Sequence, residues 1–326
     1  MKESDIRAYW QSDEPIHKAW GDFICSKITE NLRNKNIDLD SFLKIPVKLR
    51  TKDIDSLIDK ALYRKKGYQN PYYDITDKVG ARFVVLLTTD IRKIKDIIYL
   101  STDWSYSEDR DYEKERQKNP LEFTYQSVHY VLKSIDNVEH NGIVIPMGTF
   151  CEVQVRTLLQ HAHSELTHDS IYKSNRPAPP DIYRTAAKSM ALIETTDEFF
   201  EQVTIDVNEF TKKERQIISI LDNLYRERFP DIEPLKCKSS FLIIESFLDK
   251  VSDNFEHELR TFFDKNDFLL ERISEKNYLH LYKQSVILLL FFMVKKYKSY
   301  TKKNCPLMEK DLRDIYTDLS ISIDNI

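Results

Sequence analysis

The sequence predicts an α+β protein, with a mixed β-sheet flanked by helices and an all-helical C-terminal extension. Three observations predict this fold class. Ala81–Leu87 is a short, continuous apolar run, as expected of a strand buried on both faces. Tyr125–Ile135 and Gly148–Thr157 alternate between polar and apolar residues with a period of two. After Thr157 the apolar spacing becomes helical and stays so almost to the end of the chain.

These patterns divide the chain into two expected domains. Residues 1–205 comprise the N-terminal helices and the sheet, and residues 206–326 form a helical accessory domain of unassigned role. The boundary is placed where the segment IDVNEFTKKE interrupts the apolar rhythm. A length of 326 residues is compatible with two domains of ordinary size.

The remaining elements follow from local patterns. One or two amphipathic helices are expected within residues 5–40, from apolar side chains spaced three or four apart: Trp20, Phe23, Ile24 and Ile28. Asp53 is placed to cap another helix, and Asp90–Tyr99 predicts a further one. The charged, aperiodic segment Asp103–Pro120 predicts an exposed loop, and residues 137–142 a turn between two strands.

Composition excludes several classes of protein. The net charge of −4 and the pI near 6.1 do not indicate a nucleic-acid binder by bulk charge. Four cysteines without a CxxC pair argue against a disulfide framework or a zinc finger, and favour the reducing cytoplasm. The longest apolar run, Val286–Val294, is far shorter than the ~20 residues of a membrane span and predicts a buried helix. We therefore expect a cytoplasmic protein without a membrane partner.

Two predicted strands place polar side chains together. Tyr125, Ser127 and His129 share one face of the first, because side chains alternate along a strand. Glu152, Gln154 and Arg156 share one face of the second. Taken alone, these faces are equally compatible with ordinary solvation and with a concave catalytic surface.

Two carboxylates and a basic segment fit phosphate chemistry. Asp77 precedes the buried strand, and Asp77 with Glu152 would offer the hard oxygen ligands that Mg²⁺ takes alongside substrate phosphates. The alternative for Asp77 is a simple strand cap. The basic segment carries cations that could bind phosphates, although charged residues are more often a solvated helix face: Arg50, Lys52 and Lys60, with Ser56 between them.

The segment HAHSELTH, which begins at His161, suggests a metal site at first sight. It does not have the spacing HExxH, although His161, Glu165 and His168 share one helical face. A polar pocket lining is the preferred interpretation.

The motifs are more informative together than singly, because of their order along the chain. RTKDIDSLIDK, DKVGAR, YQSVH, EVQVRT and ELTHDSIYK occur in the order, spacing and structural context of the RelA/SpoT-type (p)ppGpp synthetase domain. The chain resembles that family over roughly residues 40–205. The resemblance implies a nucleotidyltransferase-like mixed sheet in a stand-alone small alarmone synthetase, either housekeeping or toxic.

The resemblance also implies roles for individual residues. On the ATP side it assigns Arg50, Lys52, Ser56, Lys60 and Arg82. It assigns Asp77 and Glu152 to Mg²⁺ and catalysis, with Glu152 as the candidate base. On the acceptor side it assigns Tyr125 to stacking on guanine, together with His129, Gln154, Arg156 and His161.

The sequence departs from the family pattern at Thr124, His163 and Thr167, all within acceptor-side motifs. Three functions therefore stay open. The first is transfer of pyrophosphate from ATP to GDP or GTP; the second is a toxin that pyrophosphorylates the 3′ end of tRNA; the third is a non-catalytic nucleotide sensor. The lysine- and tyrosine-rich segment Val294–Lys303 could bind the phosphates and bases of tRNA, although a solvated helix end is the preferred interpretation.

A second copy of the chain and a neutralising or regulatory protein are the other expected partners.

Overall fold

The computed structural model describes residues 1–64, 67–123, 127–167 and 178–325. It divides into two compact units, Met1–Thr204 and Ile205–Ile326. The first unit contains every strand found among the described residues. The second is built from helices and turns. The predicted α+β class with a helical C-terminal extension is confirmed.

The strands of the first unit, in chain order, are β1 (Ile45–Thr51), β2 (Val79–Val85), β3 (Trp104–Asp111), β4 (Val128–Ser134), β5 (Val138–His140), β6 (Ile143–Ile145) and β7 (Phe150–Thr157). The helices that begin in this unit are α1 (Glu3–Asn34), α2 (Leu39–Phe42), α3 (Ile54–Ile58), α4 (Thr88–Leu100), α5 (Tyr112–Lys118), α6 (Leu158–Thr167) and α7 (Pro180–Phe210). A π-helical turn, Asp59–Tyr63, continues α3.

Across the described residues, five strands form one mixed sheet in the order β1-β2-β7-β4-β3. The pair β2–β7 is parallel, and the other pairs in this sheet are antiparallel. The strand predicted from the apolar run at 81–87 is β2, which lies between β1 and β7 as expected. The expectation that both its faces are buried is wrong at Arg82, which is partly exposed on the polar face. β5 and β6 form a separate hairpin.

One face of the sheet is covered by α1 and α4. Trp20, Ile24 and Ile28 of α1 are fully buried, at intervals of four residues that place them on one helical face. They pack in the same core as Phe83 of β2 and Val153 of β7. The opposite face of the sheet carries the polar residues of the central strands. Successive residues of these strands therefore point alternately to the core and to the polar face.

Three local predictions need correction. Asp103–Pro120, expected to be a loop, contains β3 and α5, because β3 pairs along its length with β4. The strand was not predicted because its side chains are mostly charged and polar. In the folded chain some of them are satisfied by ion pairs such as Lys95–Asp111. β1 was not predicted, because an edge strand with alternating basic residues lacks an apolar run. The predicted turn at 137–142 contains the β5–β6 hairpin, whose connecting Asn141 and Gly142 both have positive φ, as in a tight hairpin turn.

The second unit surrounds a single apolar helix. Its helices are α8 (Lys212–Arg228), α9 (Ser239–Glu245), α10 (Phe255–Lys265), α11 (Phe268–Glu275), α12 (Val286–Lys296), α13 (Lys298–Asn304) and α14 (Glu309–Asp318). Every residue from Val286 to Val294 is buried, so α12 is the central helix of this core, as its apolar run predicted. Within the described part of the chain, no helix is long and apolar enough to cross a membrane.

The contact of α1 with the sheet is testable by truncating Ile24. Ile24→Ala should lower the free energy of unfolding by about 2–5 kcal/mol, because it leaves a cavity in a fully packed core. All three tryptophans (Trp10, Trp20 and Trp104) lie in the first unit, so tryptophan fluorescence during urea unfolding reports on that unit. The control is Glu30→Ala at an exposed position of the same helix, which should change the free energy by less than about 0.5 kcal/mol. Equal losses in the two variants would contradict this packing.

Candidate active site

The parallel pairing of β2 with β7 organises the polar face of the sheet. Its register places Gly80 beside Glu152 and Arg82 beside Gln154. On the far side of β7, β4 places His129 beside Gln154. On the far side of β2, β1 brings Arg50 level with Gly80. Residues that are level in neighbouring strands point to the same face, so one surface collects side chains from four strands.

A carboxylate between two lysines lies at one edge of this surface. The Nζ atoms of Lys52 and Lys60 lie 2.5 Å and 2.8 Å from Oδ2 of Asp77. The backbone amide of Lys52 donates to the carbonyl of Lys78 at 2.8 Å, which prolongs the β1–β2 pairing up to this cluster. Lys60 lies in the π-helical turn after α3, a geometry often found at functional sites. The structure therefore brings together three residues that were assigned to the site from the sequence.

The charge state of Asp77 follows from its surroundings. Burial raises the pKa of Asp77, but hydrogen bonds from Lys52 and Lys60 outweigh burial and hold the pKa below its usual value. The carboxylate therefore stays ionised at neutral pH. Its other oxygen, Oδ1, is buried and has no hydrogen-bond partner.

The start of α3 is fixed by Asp53, as predicted. Its carboxylate accepts hydrogen bonds from the backbone amides of Asp55 and Ser56, both at 3.1 Å. Ser56 itself is exposed in the first turn of the helix. Arg50, at the end of β1, is also exposed, so both remain accessible to a ligand.

A second carboxylate lies on β7. Oε1 of Glu152 is 3.2 Å from Nδ1 of His129, and both side chains are only partly exposed. The strand pairing that aligns β4 with β7 produces this contact. It joins one predicted catalytic residue to one predicted acceptor-side residue.

A third group links the sheet to α6. Arg82 donates to Oε1 of Glu165 at 2.9 Å, and Nδ1 of His161 lies 3.7 Å from the same oxygen. Burial lowers the pKa of His161, and the positive charges of Arg156 and Arg82 lower it further, so the imidazole is neutral at neutral pH. Glu165 had been expected from the sequence only as part of a polar pocket lining, although its spacing of four residues from His161 already placed the two on one helical face.

Gln154 and Arg156 are close but differ in exposure. Nη2 of Arg156 donates to Oε1 of Gln154. Arg156 is only 1% exposed, whereas Gln154 is half-buried. The guanidinium of Arg156 is therefore covered, with the amide of Gln154 between it and the solvent. Its positive charge still contributes to the electrostatic potential at the polar face of the sheet.

The departures from the family pattern in α6 are structural. His163 is buried, with Nε2 3.1 Å from the carbonyl oxygen of Ala186 in α7. The hydroxyl of Thr167, also buried, donates to the carbonyl oxygen of His163 at 2.9 Å. Both side chains therefore serve the packing of α6. The third departure, Thr124, and the predicted stacking residue Tyr125 lie outside the described residues.

The described site residues thus form two groups on one unit. The first contains Arg50, Lys52, Lys60 and Asp77, and the second contains Arg82, His129, Glu152, Gln154, Arg156 and His161. The first offers cations and an anion, as a polyphosphate with a bound cation requires. The second offers a carboxylate beside an imidazole, which suits proton transfer or hydrogen bonding. Within the described residues, no cluster of three or more His, Cys, Asp or Glu side chains could hold a metal ion without further ligands.

Known proteins share both the sequence pattern and the fold. Residues 49–177 match the family described as the region found in RelA and SpoT proteins. The GTP pyrophosphokinase YjbM of Bacillus subtilis strain 168 is 22% identical over 173 residues, covering 51% of this chain and 76% of its own.

Two solved structures have the same fold over the first part of the chain. Small alarmone synthetase 2 from Bacillus subtilis is 20% identical, with a TM-score of 0.50, and covers 60% of this chain and 98% of its own. Small alarmone synthetase 1 from the same organism, bound to its product pppGpp, gives the same identity and TM-score and covers 62% and 98%. The order of the motifs and the mixed sheet agree with this match, which makes residues 49–177 similar to the region found in RelA and SpoT proteins.

Proposed function

We propose that this chain is a Mg²⁺-dependent pyrophosphokinase that transfers the β,γ-pyrophosphate of ATP to the 3′-hydroxyl of GDP or GTP, in the cytoplasm. The observation that carries the proposal is the Lys52–Asp77–Lys60 cluster, in the same unit as the sheet that carries Glu152 and His129. The similar GTP pyrophosphokinase, and the small alarmone synthetase crystallised with pppGpp, support the choice of acceptor.

The proposed reaction forms one bond and breaks one. The 3′-oxygen of the acceptor attacks the β-phosphorus of ATP, and the bond from that phosphorus to the α–β bridging oxygen breaks. AMP leaves with the bridging oxygen, and the acceptor gains a 3′-pyrophosphate. The hydroxyl proton passes to a base, for which we propose Glu152, oriented by its contact with His129.

The residues present fit a magnesium ion. Asp77 and Glu152 supply hard carboxylate oxygens, and the buried Oδ1 of Asp77 has no hydrogen-bond partner. When bound, Mg²⁺ would neutralise charge on the phosphate oxygens. Arg50, Lys52 and Lys60 would hold the phosphates of ATP by charge-assisted hydrogen bonds, whatever the metal contributes. Arg82, ion-paired with Glu165, would orient the nucleotide from the sheet.

A tRNA acceptor is less well supported. Two side chains of the segment Val294–Lys303, which could have favoured RNA binding, contact acidic residues of their own unit. Lys296 forms an ion pair with Glu258, and the hydroxyl of Tyr300 donates to Asp249 at 2.9 Å. A non-catalytic sensor would not need both carboxylates together with the lysine pair.

The acceptor is identified by following the label from ATP labelled at the γ-phosphate. We expect label in the guanosine nucleotide when GDP or GTP is supplied, and none in bulk tRNA. Label in tRNA alone would replace the proposal by the toxin function. Nucleotide binding without transfer would leave only the sensor function.

The two carboxylates are tested by near-isosteric substitutions. Asp77→Asn and Glu152→Gln should each lower kcat by about 10²-fold or more, because Asp77 would lose its anionic oxygen as a ligand for Mg²⁺ and Glu152 its capacity to accept the hydroxyl proton. Asp136→Asn, at an exposed loop position, is the charge-matched control and should keep the wild-type rate. A kcat within a few-fold of wild type in either site variant would contradict the assignment.

Donor and acceptor sides are separated by a pair of variants. Lys52→Ala should raise the KM for ATP about ten- to a hundredfold, because it removes one charge-assisted contact. Tyr125→Ala should instead raise the KM for GDP by about fivefold or more, through loss of stacking on the base. Steady-state kinetics with each substrate varied in turn measures both. Equal effects on the two substrates in both variants would argue against a division into donor and acceptor sides.

A further inference from the structure

A cavity in the first unit lies outside the candidate active site. Its volume is about 240 Å³, several times the ~30 Å³ share of one water molecule. It lies among α4, α5, α6 and α7, and none of the site residues assigned above lines it. It can therefore bind a ligand of its own.

Asp197 of α7 is the unusual residue of this cavity. It is 2% exposed, and its Oδ2 accepts a hydrogen bond from the hydroxyl of Thr157 at 2.8 Å. Its other oxygen, Oδ1, is buried without a hydrogen-bond partner. Burial, with help from the nearby charge of Glu201, raises the pKa of Asp197 to about 6, although the Thr157 bond opposes the rise. At pH 7.5 the group is still mostly ionised, and a buried carboxylate oxygen then needs a donor.

The other charged groups that line the cavity do not donate a hydrogen bond to Oδ1 of Asp197. Five carboxyl groups and two guanidinium groups line it. Both guanidinium groups already have carboxylate partners: Arg92 donates to Glu113 at 3.2 Å, and Arg116 to Glu194 at 2.8 Å. The hydroxyl of Thr88 donates to Glu201. The cavity therefore carries excess negative charge, and its buried centre is an oxygen that can accept a hydrogen bond.

We propose that this cavity binds a small organic cation, an aliphatic amine whose ammonium group donates to Oδ1 of Asp197. An anion would meet the excess of carboxylates. A divalent metal is disfavoured, because no cluster of three or more metal-ligating side chains occurs in the described parts of the chain. An ammonium group on a short chain matches both the charge and the volume, and Glu201 and Glu198 are further acceptors on the same helix.

The test is isothermal titration calorimetry of the full chain with putrescine (1,4-diaminobutane) at pH 7.5. We expect saturable binding that Asp197→Asn weakens about tenfold or more, because a charge-assisted hydrogen bond is lost. Asp136→Asn, the exposed charge-matched control, should bind as the wild type does. 1,4-Butanediol, which has nearly the same shape but no charge, should not bind.

Three results would overturn the proposal: no saturable heat with putrescine in the wild type, equal affinity in Asp197→Asn, or displacement of putrescine by Mg²⁺ alone. Circular dichroism shows whether Asp197→Asn is folded. Glu201→Gln provides a second variant, because its amide oxygen can still accept from Thr88. It too should weaken putrescine binding, and unchanged affinity in a folded Glu201→Gln would count against the proposal.

Discussion

The parallel pairing of β2 with β7 is the constraint on which the rest of the site depends. It brings Gly80 level with Glu152, and the antiparallel neighbours β1 and β4 then add Arg50 and His129 to the same face. A shift of one residue in this register would turn Glu152 and Gln154 into the core and bring Val153 to the surface. The core face prevents that shift, because Phe83 and Val153 are buried against α1 and α4. The packing of the apolar face against α1 and α4 thus determines which side chains lie on the polar face.

The charges of the side chains on and beside this face are the second determinant of the site. Two lysines share one oxygen of Asp77 and keep the carboxylate ionised in a largely buried position. Three charged side chains so close together leave an excess of one positive charge, which suits an anionic substrate. Arg156 adds charge from behind the surface through Gln154. These ion pairs and hydrogen bonds support the interpretation of the polar face as a binding surface.

Much of this could be predicted from the sequence, and the failures have physical causes. The alternation at 151–155 predicted which side chains point to the core, because burial on one face of a strand enforces a period of two. It did not predict the burial of Arg156, which was expected on the polar face with Glu152 and Gln154. β1 and β3 were missed because their side chains are charged, and strand pairing, which a single sequence does not display, stabilises them. Asp197 was missed for a similar reason: its burial results from the packing of α7 near the end of β7, forty residues away in the chain. His163 and Thr167 looked like substrate determinants, but they face the interior of the unit.

The central claim is that this surface transfers a pyrophosphate and leaves AMP behind. The most direct measurement compares ATP labelled at the α-phosphate with ATP labelled at the γ-phosphate, each supplied with GDP. If pyrophosphate is transferred, the γ-label moves to the guanosine nucleotide while the α-label is recovered entirely as AMP. Recovery of the α-label on the acceptor would show nucleotidyl transfer instead, and would contradict the account.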